Sequence, residues 1–316
     1  MKIKLNKKDE KFTMKDAYER YQKQSKIRNL SEYTIKYQDR YFDKFQKFID
    51  DDNFLIADIN IDIVDDYIYM MMENGNKPKS INTALIALNA FLHWCMDNNY
   101  CDRFKTKLIK QDEIIKDTYT EEQLSKLLKK PDVKKCSFAQ YRNWVIINYL
   151  ISTGNRSNTL INIQIKDLDL YNQVIKLSTT KSRKQQIIPL STSLCKILEE
   201  YLQYRNGEID DYLFCSDHGG QMSRYTLISA ITLYNRQRGV DLTSIHAFRH
   251  TFAKMFILNG GDICKLQKLM GHADIMTTKK YINLYAKDIQ KDFDKLNPLE
   301  TMLNYNKKEH INMKKY

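Results

Sequence analysis

Glycine and proline are scarce in this chain, nine and four among 316 residues. Both break helices, glycine through its backbone entropy and proline through its missing N–H. A chain this poor in them has little material for the tight turns of an all-β fold, and it reads as mainly α. The few glycines mark ends: Gly75, Gly154, Gly260 and Gly271 each follow an apolar, periodic stretch. Apolar residues make up 42% of the chain, and its length allows two separate cores.

The formal charge is +12, which favours a polyanionic partner without choosing one. The six cysteines form no CxxC pair, so neither a zinc site nor a disulfide scaffold is indicated. They are expected to serve as small hydrophobes in a reducing compartment. The start, MKIKLNKKDEKF, lacks the apolar stretch of a signal peptide, and no run approaches the length of a membrane span. The expectation is a soluble, intracellular protein with no membrane partner.

Taken in order, the periodicity predicts a helix from Thr13 to Arg28, then one capped by Ser31 that carries Phe42, Phe45 and Phe48. A turn at Asp50–Asp52 precedes a third helix, closed by Gly75, and Ser80 is expected to cap a fourth that ends near Asn98. Residues 12–100 thus read as a four-helix domain whose Lys, Tyr and Asn side chains suit a duplex or an ordinary protein partner equally well. Residues 101–118 read as a basic, extended linker. The second domain, residues 119–297, opens on a capping box at Thr120 and continues into the very apolar FAQYRNWVIINYLIST. Gly154 breaks that helix, so Arg156 falls at a helix junction. QVIKLSTT and QQIIPL alternate as a β-hairpin, with KSRK, including Lys181, at its tip. DYLFCSDHGGQMS reads as a short strand and a glycine turn. Helices over residues 191–206 and from Ser223 to Arg236 follow, then SIHAFRHTFAKMFILNG, capped by the serine or threonine before His246, and DICKLQKLMGH. Asp274 or Thr277 and Thr278 open a last helix bearing Tyr281, and residues 298–316 form a basic tail. Fold class is therefore mainly α, with a small antiparallel sheet in the second domain.

Six side chains suggest chemistry on a phosphodiester: Arg156, Lys181, His246, Arg249, His272 and Tyr281. Transesterification at phosphorus needs a nucleophile, donors for the non-bridging oxygens, and an acid for the leaving alkoxide. His246 and Arg249, three residues apart, share a helix face, and the planar fork of an arginine clamps two oxygens. Lys181 would protonate the 5′ oxygen. Tyr281 would attack, its phenol of pKa roughly 10 made more acidic by surrounding cations. The scheme calls for no metal, ATP or other cofactor, and the chain has neither the acidic clusters of a two-metal nuclease nor a GxxxxGK[ST] loop. Each motif also has a bland reading. HxxR is common, His272 can merely cap a helix, KSRK can be a solvated turn, and Tyr281 is one of 21 tyrosines.

The combination HAFRHTFA, LMGH and TTKKY, with TGNR upstream and a hairpin lysine between, resembles the catalytic domain of the tyrosine recombinases, the phage-type integrases. The nine-residue interval from His272 to Tyr281 also matches. The resemblance covers residues 119–290 closely and residues 12–100 more loosely, as a core-type DNA-binding domain. It implies the tyrosine recombinase fold and assigns the family's two arginines, lysine, two histidine-type positions and tyrosine to the six residues above. It further implies a C-shaped clamp on double-stranded DNA and a homotetramer on two DNA sites. Strands are exchanged through a four-way junction and a 3′-phosphotyrosine, in a prokaryotic cytoplasm, with a directionality factor as a possible accessory. Residues 288–303 are the candidate for exchange between subunits. Two positions depart from the pattern: Asn155 replaces an apolar residue before the first arginine, and Thr159 replaces an acid after it. They keep open a catalytically weakened DNA-binding relative. A topoisomerase-like monomer and a basic helical adaptor that binds no DNA are the other rivals.

Overall fold

The computed structural model describes residues 12–111, 117–177, 186–272, 274, 275, 278 and 299. Lys181, Tyr281 and nearly all of the tail lie outside the described residues. The chain divides into two compact units, Met1–Ile114 and Ile115–Tyr316.

Among the described residues the first unit holds four α-helices, α1 (Met14–Ile27), α2 (Glu32–Ile49), α3 (Ile61–Glu73) and α4 (Pro78–Asp97). Thr13 and Asp16 form a reciprocal capping box on α1, and Ser31 caps α2 through the Thr34 amide. The fourth helix starts two residues before Ser80, because Pro78 takes its first turn. Proline's fixed φ suits that position, and its missing N–H would have had no helical partner there. Aromatic rings make the core. Tyr18 stacks on Phe42 at 3.6 Å, and Phe91 meets both edge-on at 5.3 and 5.6 Å.

Residues 101–111, part of the stretch 101–118 expected as an extended linker, contain no helix or strand and are held to α4. The buried Asn82 amide donates to Ile109 O at 2.9 Å and accepts from Ile109 N at 2.8 Å, in the manner of a β-ladder pair. Thr106 Oγ1 donates to Asn89 at 2.7 Å. The basic residues of this stretch are thereby carried by the first unit.

The second unit is built around α6 (Phe138–Thr153), whose buried residues fall on every face. A helix apolar all round must be central. Around it stand α5 (Glu121–Leu128), α8 (Thr192–Arg205), α9 (Arg224–Gln237) and α10 (Ile245–Leu258). The short α7 (Ser157–Leu160) follows α6, and α11 (Ile263–Met270) follows α10. The sheet has three strands, one more than the expected hairpin: β1 (Leu168–Asp169), β2 (Val174–Leu177) and β3 (Gln186–Pro189), antiparallel in that order. Ile175 and Ile188 face each other and are buried, while Lys176 and Ile187 point to the exposed side.

The short strand expected in DYLFCSDHGGQMS is reduced to isolated bridges, Gln164 with Tyr212 and Cys215 with Gln221. Arginines donate to carbonyls along this stretch. Arg142, buried in the middle of α6, donates to Cys215 O at 2.7 Å and to Asp217 at 2.8 Å. Arg205 donates to Tyr212 O at 3.3 Å and Gly219 O at 3.4 Å.

Asn82→Ala is expected to destabilise the protein by about 1–2 kcal/mol in urea unfolding, as two hydrogen bonds to backbone are lost. It should also speed hydrogen exchange at Ile109, and an Ile109 amide exchanging as in the parent would refute the pinning of residues 101–111.

Candidate functional site

Three of the described candidates, Arg156, Arg249 and His272, meet at the C-terminal end of α11. A helix leaves its last carbonyls without intrahelical donors and carries partial negative charge there. Gly271 closes α11 in the left-handed conformation, φ 59° and ψ 45°. The turn uses the chain's own amides first: Gly271 N donates to Lys268 O at 3.1 Å, and His272 N donates to Gln267 O at 3.1 Å. Side chains serve the next carbonyls. Met270 O accepts from Arg249 at 2.7 Å, and Gly271 O accepts from both terminal nitrogens of Arg156 at 3.3 and 3.4 Å. Two guanidinium groups therefore hold successive carbonyls at the negative pole of one helix.

Arg249 is 5% exposed and sits on the buried face of α10. Its other terminal nitrogen donates to Gly154 O at 2.7 Å. The nitrogen that serves Met270 O also donates to His272 Nε2 at 2.8 Å. Because arginine has no acceptor, Nε2 must accept. Nδ1 then carries the proton and donates to Thr278 Oγ1 at 2.9 Å. One arginine thus ties together the end of α6, the end of α11 and the His272 ring.

Arg156 owes its reach to the two residues before it. Gly154 has φ 61° and closes α6, and the Phe252 ring occupies the place where a Cβ would stand. Asn155, which replaces the expected apolar residue, is buried and donates to the Tyr149 hydroxyl. Burial pushes that phenol up, so it stays a neutral partner. Arg156 itself is extended, φ −75° and ψ 147°, at the start of α7. Thr159 is half-buried one turn on.

His246 is exposed, on the first turn of α10 and three residues before Arg249. Ser244 precedes that helix but provides no side-chain cap. Tyr119 secures the start of α10 instead. Its ring stacks on Phe248 at 4.2 Å, its N–H donates to Thr251 Oγ1 at 2.8 Å, and its hydroxyl donates to Leu242 O at 3.1 Å. Among the described residues, no three His, Cys, Asp or Glu side chains gather as metal ligands. The cluster is one of N–H donors, which suits an anion.

Comparison with known proteins agrees with this arrangement. The model of the phage integrase family matches residues 117–288, more than half of the chain. The chain belongs to the phage integrase family. Family membership sets aside the basic adaptor. Among related integrase-family proteins, the tyrosine recombinase XerD of Staphylococcus haemolyticus is 27% identical over 296 residues, spanning 90% of this chain and 99% of that one. The integrase of the transposon Tn1549, solved in complex with a circular intermediate DNA, has the same fold with a TM-score of 0.67, at 22% identity over 84% of this chain and 94% of that chain. A lambda integrase dimer bound to a COC′ core site superposes with a TM-score of 0.65, at 16% identity over 85% of this chain and 95% of that one.

Three of the six sequence candidates, Arg156, Arg249 and His272, are gathered at one turn, and His246 stands one helical turn away from Arg249. Sequence reasoning missed Thr278 as the partner of His272, the Met270 and Gly271 carbonyls as partners of the arginines, and Tyr119 as the anchor of α10. Only Gly271, in LMGH, had a signal, as a helix-closing glycine.

Gly154→Ala is expected to destabilise the protein by about 2–4 kcal/mol in urea unfolding, from the left-handed backbone and the ring contact together. Adding Phe252→Ala should relieve the contact but not the backbone strain. Equal stability of Gly154→Ala and the parent would contradict this view of the α6 terminus.

Proposed function

We propose that this integrase-family protein is a site-specific DNA recombinase that cuts and rejoins duplex DNA through a 3′-phosphotyrosyl intermediate and a four-way junction. The observation that carries the reading is the convergence of Arg156, Arg249 and His272 on the turn after α11, where the two arginines donate to Gly271 O and Met270 O and Arg249 also donates to the His272 ring. A phosphate entering there meets guanidinium groups already held by backbone carbonyls, so little reorganisation accompanies charge build-up on its oxygens. The integrase neighbours solved with DNA support duplex DNA as partner.

In this scheme Tyr281 attacks phosphorus. Its O–P bond forms as the bond to the 5′ oxygen breaks, and the phenolic proton leaves to solvent or a neighbouring base. Lys181 protonates the departing 5′ oxygen. Arg156 and Arg249 bind the non-bridging oxygens, with His246 and His272 beside them. Attack by a 5′-hydroxyl from a second duplex on the phosphotyrosine reverses the step and releases Tyr281. The phosphotyrosine conserves the bond energy, which is why rejoining needs no nucleotide cofactor. Residues 12–100 serve as the core-type DNA-binding domain, residues 101–118 as the linker, residues 119–297 as the catalytic domain and residues 298–316 as a basic tail. The protein acts as a homotetramer on two sites, in a prokaryotic cytoplasm. Among the described residues no helix is long and apolar enough to cross a membrane.

Nicked duplexes made from DNA flanking the gene test the scheme. The parent protein should trap a covalent, protease-sensitive adduct on a denaturing gel, Tyr281→Phe should bind without trapping, and Arg249→Ala should trap about 100-fold more slowly or worse. An adduct retained by Tyr281→Phe would dismiss this tyrosine as nucleophile. Lys181→Ala should cleave slowly on ordinary DNA and recover on a duplex with a 5′-bridging sulfur, a leaving group that needs no acid. Absence of that recovery would remove the acid role.

A further inference from the structure

Gln186 is the first residue of β3, paired with Leu177 across the sheet. Its side chain leaves the sheet for α11, where Nε2 donates to Leu269 O at 2.9 Å. Its amide oxygen lies 3.1 Å from the place a Cβ on Gly271 would occupy, so the amide also packs flat against the closing turn. Leu269 O belongs to the run of helix-end carbonyls that have no helical donor. On its N-terminal side Lys268 O is served by Gly271 N, and on its C-terminal side Met270 O and Gly271 O are served by Arg249 and Arg156. Gln186 fills the one position in this run that neither the turn nor an arginine takes. It does so from a strand 83 residues away in sequence.

The turn from Leu269 to His272 is thus gripped from three elements: α10 through Arg249, the start of α7 through Arg156, and the sheet through Gln186. The two arginines are the groups assigned to the phosphate, and any shift of their carbonyl partners shifts them. The sheet contact is the only one of the three made by a neutral side chain, so it can fix the turn without competing for an anion. Gln186 also directly follows residues 178–185, the stretch that carries Lys181 in the sequence.

We propose that Gln186 is a positioning residue for strand cleavage: by donating to Leu269 O it fixes the end of α11 against the sheet and so sets the geometry of His272 and Arg249. The role in cleavage rests on the recombinase reading above, whereas the role in holding His272 does not. The essential property is an N–H donor at the reach of a glutamine. Glutamate has nearly the same shape, but its ionised carboxylate cannot donate and faces a carbonyl oxygen. Methionine keeps the length without a donor. Lysine restores donors, and a cation is favourable at a helix C-terminus.

The test uses Gln186→Glu, Gln186→Met and Gln186→Lys in the full chain, with two readouts. The first is the ¹⁵N imidazole spectrum without DNA, in which the chain's six histidines are resolved and His272 is assigned by its loss in His272→Asn. The parent should show His272 as the Nδ1–H tautomer; that pattern should be lost in the Glu and Met variants and regained in the Lys variant. The second is single-turnover cleavage of the nicked duplex at saturating DNA. There the Glu and Met variants should be slowed about 10-fold or more with Kd within about 2-fold of the parent, and the Lys variant should recover most of the rate. The proposal is overturned if Glu and Met leave both the His272 pattern and the cleavage rate as in the parent. It is overturned equally if all three variants are slow in step with a lowered Tm, which is the mark of fold damage alone. Should the parent itself form no adduct, the recombinase reading fails, and the imidazole spectra still decide whether Gln186 holds His272.

Discussion

The end of α11 is the place on which the site depends. A helix that stops inside a protein must find donors for its last carbonyls, because a buried unpaired carbonyl is costly. Here the donors come from the turn itself, from Gln186 and from two arginines. The requirement to close a helix and the requirement to hold cations in one place are met by the same hydrogen bonds. The negative pole of the helix also lowers the repulsion between two guanidinium groups brought side by side.

This arrangement explains why the positions around the arginines are so constrained. Arg249 lies almost wholly buried, and it donates to Gly154 O, Met270 O and His272. Carbonyl dipoles stabilise a buried guanidinium without neutralising its charge. Gly154 has to expose its carbonyl in the left-handed turn and leave space for the Phe252 ring. Asn155 shows how a polar residue is accepted at a position where an apolar one is common: the Tyr149 hydroxyl satisfies it in the core.

Much of the fold was legible along the chain. Helix starts were read to within a residue or two where a capping side chain precedes an apolar period, as at Thr13, Ser31 and Thr120, and a glycine marked the end of α11 at Gly271. The misreadings have two sources. At the start of α4 the contest was local, and Pro78 outranked Ser80. At Cys215, whose carbonyl is taken by Arg142, as with the pinning of residues 101–111 by Asn82, the deciding partner is distant in sequence. No local pattern could have announced it.

The sequence by itself determined the types and order of the candidate residues, the helices that bear His246 and Arg249, and the glycines at which α6 and α11 end. These depend on propensities and caps that act over about four residues, so the local chain suffices. Tertiary structure alone decided that Arg156 reaches Gly271 O, that Arg249 bridges Gly154 and His272, and that Gln186 serves Leu269. Those hydrogen bonds join residues brought together by packing around α6, and a donor's choice among distant carbonyls is fixed only once that core has formed.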